Sequence, residues 1–232
     1  MDFSRPLSGL LFCFLVAISM QAKAAPTAYL PLGADPRLER QVEKMLALTG
    51  SAPLTKPYRI TQIASSTERI RVSHPLLYQA IRDGIRPYLS DAQLVRAGIG
   101  LAVDGDTSST LANQRGLSST EWAEFSVDGV WRPSRTLLAQ AGMSYRAEAG
   151  TLVNYNTFVS AGFGRLQFDV GYKEHWWSPF DHSAMLISNH ARPSPSVTVS
   201  FSEPLENYWD ANFEIFYSKL DSVEQGIRWR GS

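Results

Sequence analysis

Residues 165–173 read Arg-Leu-Gln-Phe-Asp-Val-Gly-Tyr-Lys. Leu166, Phe168, Val170 and Tyr172 alternate with Gln167, Asp169, Gly171 and Lys173. That two-residue period belongs to a strand with one apolar and one polar face. The same alternation returns at 196–202, where Val197, Val199 and Phe201 are set against Ser196, Thr198, Ser200 and Ser202. It returns again at 209–218, with Trp209, Ala211, Phe213, Ile215 and Tyr217 opposite Asp210, Asn212, Glu214, Phe216 and Ser218. Residues 135–147 repeat it less cleanly, and 93–103, 123–131 and 152–164 complete the set, with 225–230 beginning one more strand. Alternating segments of about ten residues, one after another, are the signature of a transmembrane β-barrel.

The connections carry a second signal. They run long at 104–118, short at 133–134, medium at 147–155, short at 164–165, very long at 174–194 and short around Pro204. Long loops outside and tight turns on the periplasmic side give a barrel this parity, which a soluble β-sandwich has no reason to show. The expected fold is therefore mainly β: an antiparallel transmembrane β-barrel, incomplete at about seven to eight strands where the smallest bacterial barrels have eight, preceded by a short α-helical segment.

Ahead of the strands the period is helical. Asp35-Pro36 reads as an N-cap followed by proline at the first helical position; Leu38, Val42, Met45 and Leu46 share a face, and Gly50 closes the segment. Ser73, Pro75 and Gly84 frame a second short helix carrying Leu76, Leu77 and Ile81. These helices, 35–49 and 74–83, are placed either as a plug or below the barrel mouth. Before them, Arg5, an apolar run from Gly9 to Met20 and Ala22-Lys23-Ala24 form a signal peptide with cleavage after Ala24. The run is too short to span a bilayer as a helix, which needs about 20 residues. Cys13 lacks the small residue that a lipobox requires before it. The expected organisation is a signal peptide at 1–24, a helical plug-like segment at 25–92 and a partial outer-membrane barrel at 93–232.

Composition narrows the chemistry. Lys+Arg and Asp+Glu are 22 each, so the formal charge is zero and no basic excess points to nucleic acid. Charged residues make up 19% and aromatics 11%, which suits a membrane surface or an extended β protein better than a cytosolic enzyme. The single cysteine lies in the leader, which excludes a disulfide framework and a cysteine-rich metal site.

Residues 169–200, DVGYKEHWWSPFDHSAMLISNHARPSPSVTVS, resemble the Wzi-type capsule assembly family. These are outer-membrane barrels in which a strand ending DVGY leads through HWWSPF into SAMLIS and then PSPS. The stretch YLPLGADPRLERQVEKMLALTG, residues 29–50, is similar to the opening of the same family. The resemblance implies an outer-membrane lectin that holds capsular polysaccharide at the cell surface, and this chain resembles the N-terminal half only.

The 174–194 loop concentrates the candidate chemistry. His175, Trp176, Trp177, Asp181, His182 and Arg192 combine indole platforms for sugar rings with polar groups for hydroxyls, as carbohydrate recognition requires. The competing reading places Trp176 and Trp177 in the aromatic girdle or in loop packing. Ser183, either His182 or His190, and Asp181 supply the residue types of a hydrolase triad, but adjacent residues rarely converge on one reacting atom. His175, His182 and His190 are spaced by seven and eight residues, matching no metal motif. The expectation is a non-catalytic protein without cofactor or metal, whose partners are capsular or other surface polysaccharide and outer-membrane lipid. A general porin-like pore is the alternative, and an outer-membrane hydrolase a more distant one. The polar face formed by Arg96, Gln140, Arg146, Gln167, Asp169, Lys173, Asn212 and Glu214 mixes charge signs, as an internal lining or plug contact does and a selective pore does not.

Overall fold

A computed structural model describes residues 25–51, 55–101, 123–147, 150–178, 193–205 and 209–218. The leader at 1–24, the strand expected at 225–230, and Asp181, His182, Ser183, Asn189, His190 and Arg192 lie outside the described residues.

Helix α1 spans Pro36–Thr49 and begins and ends as its sequence dictates. Asp35 Oδ1 accepts from the backbone N–H groups of Arg37 and Leu38, each at 3.0 Å, and Gly50 closes the helix at φ 69°. Helix α2, Ile60–Arg69, has no side-chain cap of its own. Remote residues supply one: Ala28 O accepts from Ile60 N at 2.9 Å and Thr27 Oγ1 from Thr61 N at 3.1 Å. The local sequence does not announce this helix, because the groups that satisfy its first turn lie over thirty residues upstream.

Helix α3 spans Pro75–Ile85, with His74 rather than Ser73 at the N-cap position. It buries Tyr78, Ile81 and Ile85, while Leu76, expected on its apolar face, is 82% exposed. Gly84, expected to end the helix, lies inside it and serves packing instead: a Cβ there would meet Leu38 Cδ1 at 2.7 Å. A short 3₁₀ turn, Arg86–Leu89, leads into the sheet. Leu38, Val42, Met45, Ile63, Ile81 and Ile85 form the centre of an aliphatic core that continues onto Val130, Leu138 and Phe158 of the strands.

Apart from β1, Thr55–Lys56, the strands follow the helices: β2 Ala92–Leu101, β3 Ala123–Ser134, β4 Leu137–Arg146, β5 Thr151–Phe163, β6 Leu166–Tyr172, β7 Trp176–Trp177, β8 Ser196–Leu205 and β9 Trp209–Ser218. Seven of them form one antiparallel meander in the order β2-β3-β4-β5-β6-β8-β9. Among the described residues β2 and β9 each pair on one side only, so this is an open sheet. β5 begins at Thr151, so its connection from β4 is shorter than the expected 147–155. β1 and β7 form a separate two-stranded ladder, with Thr55 opposite Trp177 and Lys56 opposite Trp176.

Burial in the sheet is inverted relative to a soluble protein. Along β5, Val159 is 56% exposed and its neighbour Ser160 is 0% exposed. Ile99, Phe125, Trp131, Phe163, Val170, Phe213 and Ile215 also point outward, while Asp128, Gln140, Ser144, Gln167, Asp169 and Thr198 are buried. Water favours the opposite arrangement; an apolar medium around the sheet favours this one. No helix among the described residues is long and apolar enough to cross a membrane. One bulge interrupts the ladder between β4 and β5, where Gln140 and Gly142 face Phe158 and Tyr155. It places Asn156 at φ 43°, a left-handed position asparagine tolerates, and turns that side chain toward the base of the long loop.

Candidate functional site

The buried polar face is occupied by the N-terminal segment. Two glutamines from different strands grip alternate residues of that segment in the same way. Gln140 Oε1 accepts from Tyr29 N at 2.9 Å while its Nε2 donates to Tyr29 O at 2.8 Å. Gln167 repeats this on Thr27, at 2.9 Å from the N–H and 3.1 Å from the carbonyl. Each side-chain amide stands in for a neighbouring strand, satisfying backbone groups that would otherwise be buried unpaired. Ala34 O accepts from Arg96 Nη1, and Arg59 Nη2 donates to Ser200 Oγ at 2.6 Å. Residues 27–34 and 59 thus engage strands from β2 to β8.

Around the Tyr29 hydroxyl the interior holds a charged network. Asp169 Oδ2 accepts from Tyr29 Oη at 3.0 Å and from Lys173 Nζ at 3.3 Å, while its Oδ1 accepts from Ser160 Oγ at 2.6 Å and Gln167 Nε2 at 2.7 Å. Lys173 Nζ also donates to Glu214 Oε2 at 2.7 Å. Lys173 Nζ also donates to Tyr29 Oη at 3.2 Å, so the ammonium is held by three oxygens. A second cluster lies toward β2: Asp128 Oδ2 accepts from Arg96 Nε at 2.9 Å and from Tyr155 Oη at 3.2 Å. Burial, then the Asp128 charge, push the nearby Tyr88 hydroxyl above its ordinary value.

This network reaches the base of the long loop. His175 Nδ1 lies 2.8 Å from Glu214 Oε1, and its ring stacks on Phe216 with centroids 4.1 Å apart. Glu174 Oε2 accepts from Asn156 Nδ2 at 3.1 Å and from Leu32 N at 3.2 Å, joining the bulge, the loop and the N-terminal segment. Trp176 is 4% exposed, and its backbone pairs with Lys56. Of the residues expected to bind sugar, His175 and Trp176 therefore come together as buried packing at the loop base. Trp177 follows in β7.

His175 Nε2 also lies 3.4 Å from Ser196 Oγ, so serine, histidine and glutamate stand in sequence. That serine is nonetheless buried and within 3.4 Å of Gly171 O, to which it donates. A nucleophile needs an approach path and donors for the developing oxyanion. A cleft of about 120 Å³ beside the N-terminal segment is lined by Lys56, Arg59, Gln62, Ser200 and Glu214 and includes neither Ser196 nor His175. The relay ties the loop base to β8 and β9.

Tyr29, Lys56 and Glu174 hold this site together and were not singled out by the sequence; their partners lie more than a hundred residues away or in another short strand. The polar face was legible. Arg96, Gln140, Gln167, Asp169, Lys173 and Glu214 all point inward, and Arg146 Nη2 pairs with Glu124 at 3.5 Å.

Residues 103–225, more than half of the chain, match the family model described as capsule assembly protein Wzi. No curated protein and no solved structure matches the chain. The matched stretch contains β3 to β9 and the whole of the long loop; the stretch at 29–50 lies outside it.

Proposed function

The chain belongs to the capsule assembly protein Wzi family, and from that premise we propose that it retains surface polysaccharide by non-catalytic binding at the outer membrane. Membership makes it an outer-membrane protein of capsule assembly at the cell surface. The finer reading assigns residues 1–24 to a cleaved leader, 25–92 to an internal plug and 93–232 to part of a barrel that carries the loops. Polymer recognition falls to the loop after β7, with Trp177 as a stacking platform and Asp181, His182 and Arg192 as partners for hydroxyl and acidic groups. His175 and Trp176 serve this reading from beneath, by fixing where the loop begins.

The observation that supports it most is the tethering of that loop. Its first residues are held by the His175–Glu214 contact and the Lys56–Trp176 pairing, so the following residues leave from a rigid base. Preorganisation of this kind lowers the ordering cost of binding. The segment lying across the polar face speaks against an open pore.

The test is binding of purified capsular polymer to the full chain in detergent, with Trp177→Ala and Arg192→Ala alongside. Each variant should bind about tenfold more weakly, equivalent to about 1.4 kcal/mol, while keeping the wild-type shift in gel mobility on heating. Wild-type affinity in both folded variants would remove the loop from the mechanism. Absence of binding by the wild type would remove the polysaccharide.

A further inference from the structure

We propose that the exposed face of α1 is a second polymer-binding surface, specific for acidic polysaccharide. The proposal rests on the polysaccharide reading above and adds a place and a charge to it. The chain as a whole is neutral, but its helical part is not neutral on the outside. Between residues 35 and 90, Arg37, Arg40, Lys44, Arg69, Arg71, Arg82 and Arg86 are exposed, against exposed Asp35, Glu68 and Asp83.

Three of those cations, Arg37, Arg40 and Lys44, sit three and four residues apart and so form one stripe along α1. They span about 10 Å of helix at 1.5 Å per residue. The helix also contains two acids, Glu39 and Glu43, which in an isolated helix would be available to neighbouring cations. Both are drawn away. Lys56 Nζ pairs with Glu39 Oε1 at 3.3 Å and with Glu43 Oε1 at 2.6 Å, and Glu39 Oε2 accepts from Gly33 N at 3.1 Å. Lys56 belongs to the strand that pairs with Trp176 and Trp177, so the contact that anchors the long loop also removes the carboxylates from the stripe. Among the described residues Arg37, Arg40 and Lys44 have no ion pair.

The chemistry of the face selects its partner. Three cations in a row, on a helical region whose exposed cations outnumber its exposed acids seven to three, attract a polyanion and are screened by salt. Insertion into an anionic membrane is the less suitable mode, because an interfacial helix must bury its apolar side in lipid. In α1 that side, Leu38, Val42, Met45 and Leu46, is already buried in the protein. A polymer with a carboxylate on successive sugars needs only the charges.

The experiment compares polygalacturonate with neutral dextran, titrated against the full chain in a nonionic detergent at low and moderate salt. Polygalacturonate should bind more tightly than dextran, and its affinity should fall as salt rises. The triple variant Arg37→Gln/Arg40→Gln/Lys44→Gln should bind polygalacturonate at least tenfold more weakly and lose most of that salt dependence. Ala47→Glu, which adds an exposed acid one turn from Lys44, should weaken binding by a smaller factor and guards against misfolding of the triple variant. Wild-type affinity in both folded variants overturns the α1 surface and leaves the polysaccharide reading intact. Equal binding of dextran overturns the charge selectivity. Binding of neither polymer overturns the α1 surface, while the polysaccharide reading is decided separately by the capsular polymer. Capture of the wild type by phosphatidylglycerol vesicles but not by polygalacturonate, lost in the triple variant, assigns the stripe to lipid and overturns the proposal.

Discussion

The helices and the sheet of this chain sort their residues by opposite rules. α1, α2 and α3 bury Val42, Met45, Ile63 and Ile81 and expose arginines. The strands bury Gln140, Gln167, Asp169 and Thr198 and expose Val159, Phe163, Val170 and Ile215. One sequence therefore follows two solvent preferences: water suits the surface of the helices, and an apolar medium suits the outward face of the sheet. The two regions share an interior, where the N-terminal segment supplies backbone groups to the sheet's polar lining.

The largest expected effect comes from the interior, where the two rules meet. Lys173 is buried between Asp169 and Glu214, and Lys173→Met leaves Asp169 buried without a cation and Glu214 with the His175 contact alone. Stranding a buried charge in this way costs about 3–5 kcal/mol. Lys44→Met, which removes an exposed cation from α1, should change stability by no more than about 0.5 kcal/mol. Urea unfolding of both variants in lipid vesicles makes the comparison, and equal losses would mean that the interior network does not hold the sheet.

A smaller effect tests the two-solvent picture directly. Val159 on β5 and Val72 after α2 are both exposed, at 56% and 92%. Val159→Arg should cost about 2–4 kcal/mol if its side chain lies near mid-membrane, whereas Val72→Arg in water should stay within about 0.5 kcal/mol. Heat-modifiable gel mobility across a temperature series reads both. Equal tolerance would place the outward face of the sheet in water and dissolve the comparison.

How much of this was legible depended on how far each signal reaches along the chain. The strands and their inward residues were readable because a period of two is visible within ten residues. α1 was readable because Asp35 and Gly50, which bound it, are adjacent to it. α2 was not, since its first turn is satisfied by Thr27 and Ala28. The α3 face was misjudged at Leu76 because packing against α1 at Gly84 sets its rotation toward Tyr78, Ile81 and Ile85. In the candidate site, the cluster of aromatic and polar residues was visible, and loop packing was one of the readings for Trp176, but the element it pairs with was not visible. Its pairing partner Lys56 sits in a two-residue strand with no pattern of its own.

The smallest effect turns that difference in reach into a measurement. Asp35 caps α1 from the adjacent position, and Asp35→Ala should cost about 1 kcal/mol, the usual loss for an N-cap. Thr27 plays the same part for α2 from thirty-four residues upstream, its hydroxyl accepting from Thr61 N. Thr27→Val keeps the side-chain shape and removes that acceptor, so it should also cost about 1 kcal/mol. Its loss should appear in the unfolding of the sheet as well, because the backbone of Thr27 is held by Gln167 of β6. Asp35→Ala should instead be felt first in the helical circular-dichroism signal. If Thr27→Val changes neither transition, the helices stand without the N-terminal segment, and the interior is a contact between two independently stable regions. If it lowers both together, the segment at 27–30 is the joint through which the water-facing and lipid-facing parts of the chain fold as one.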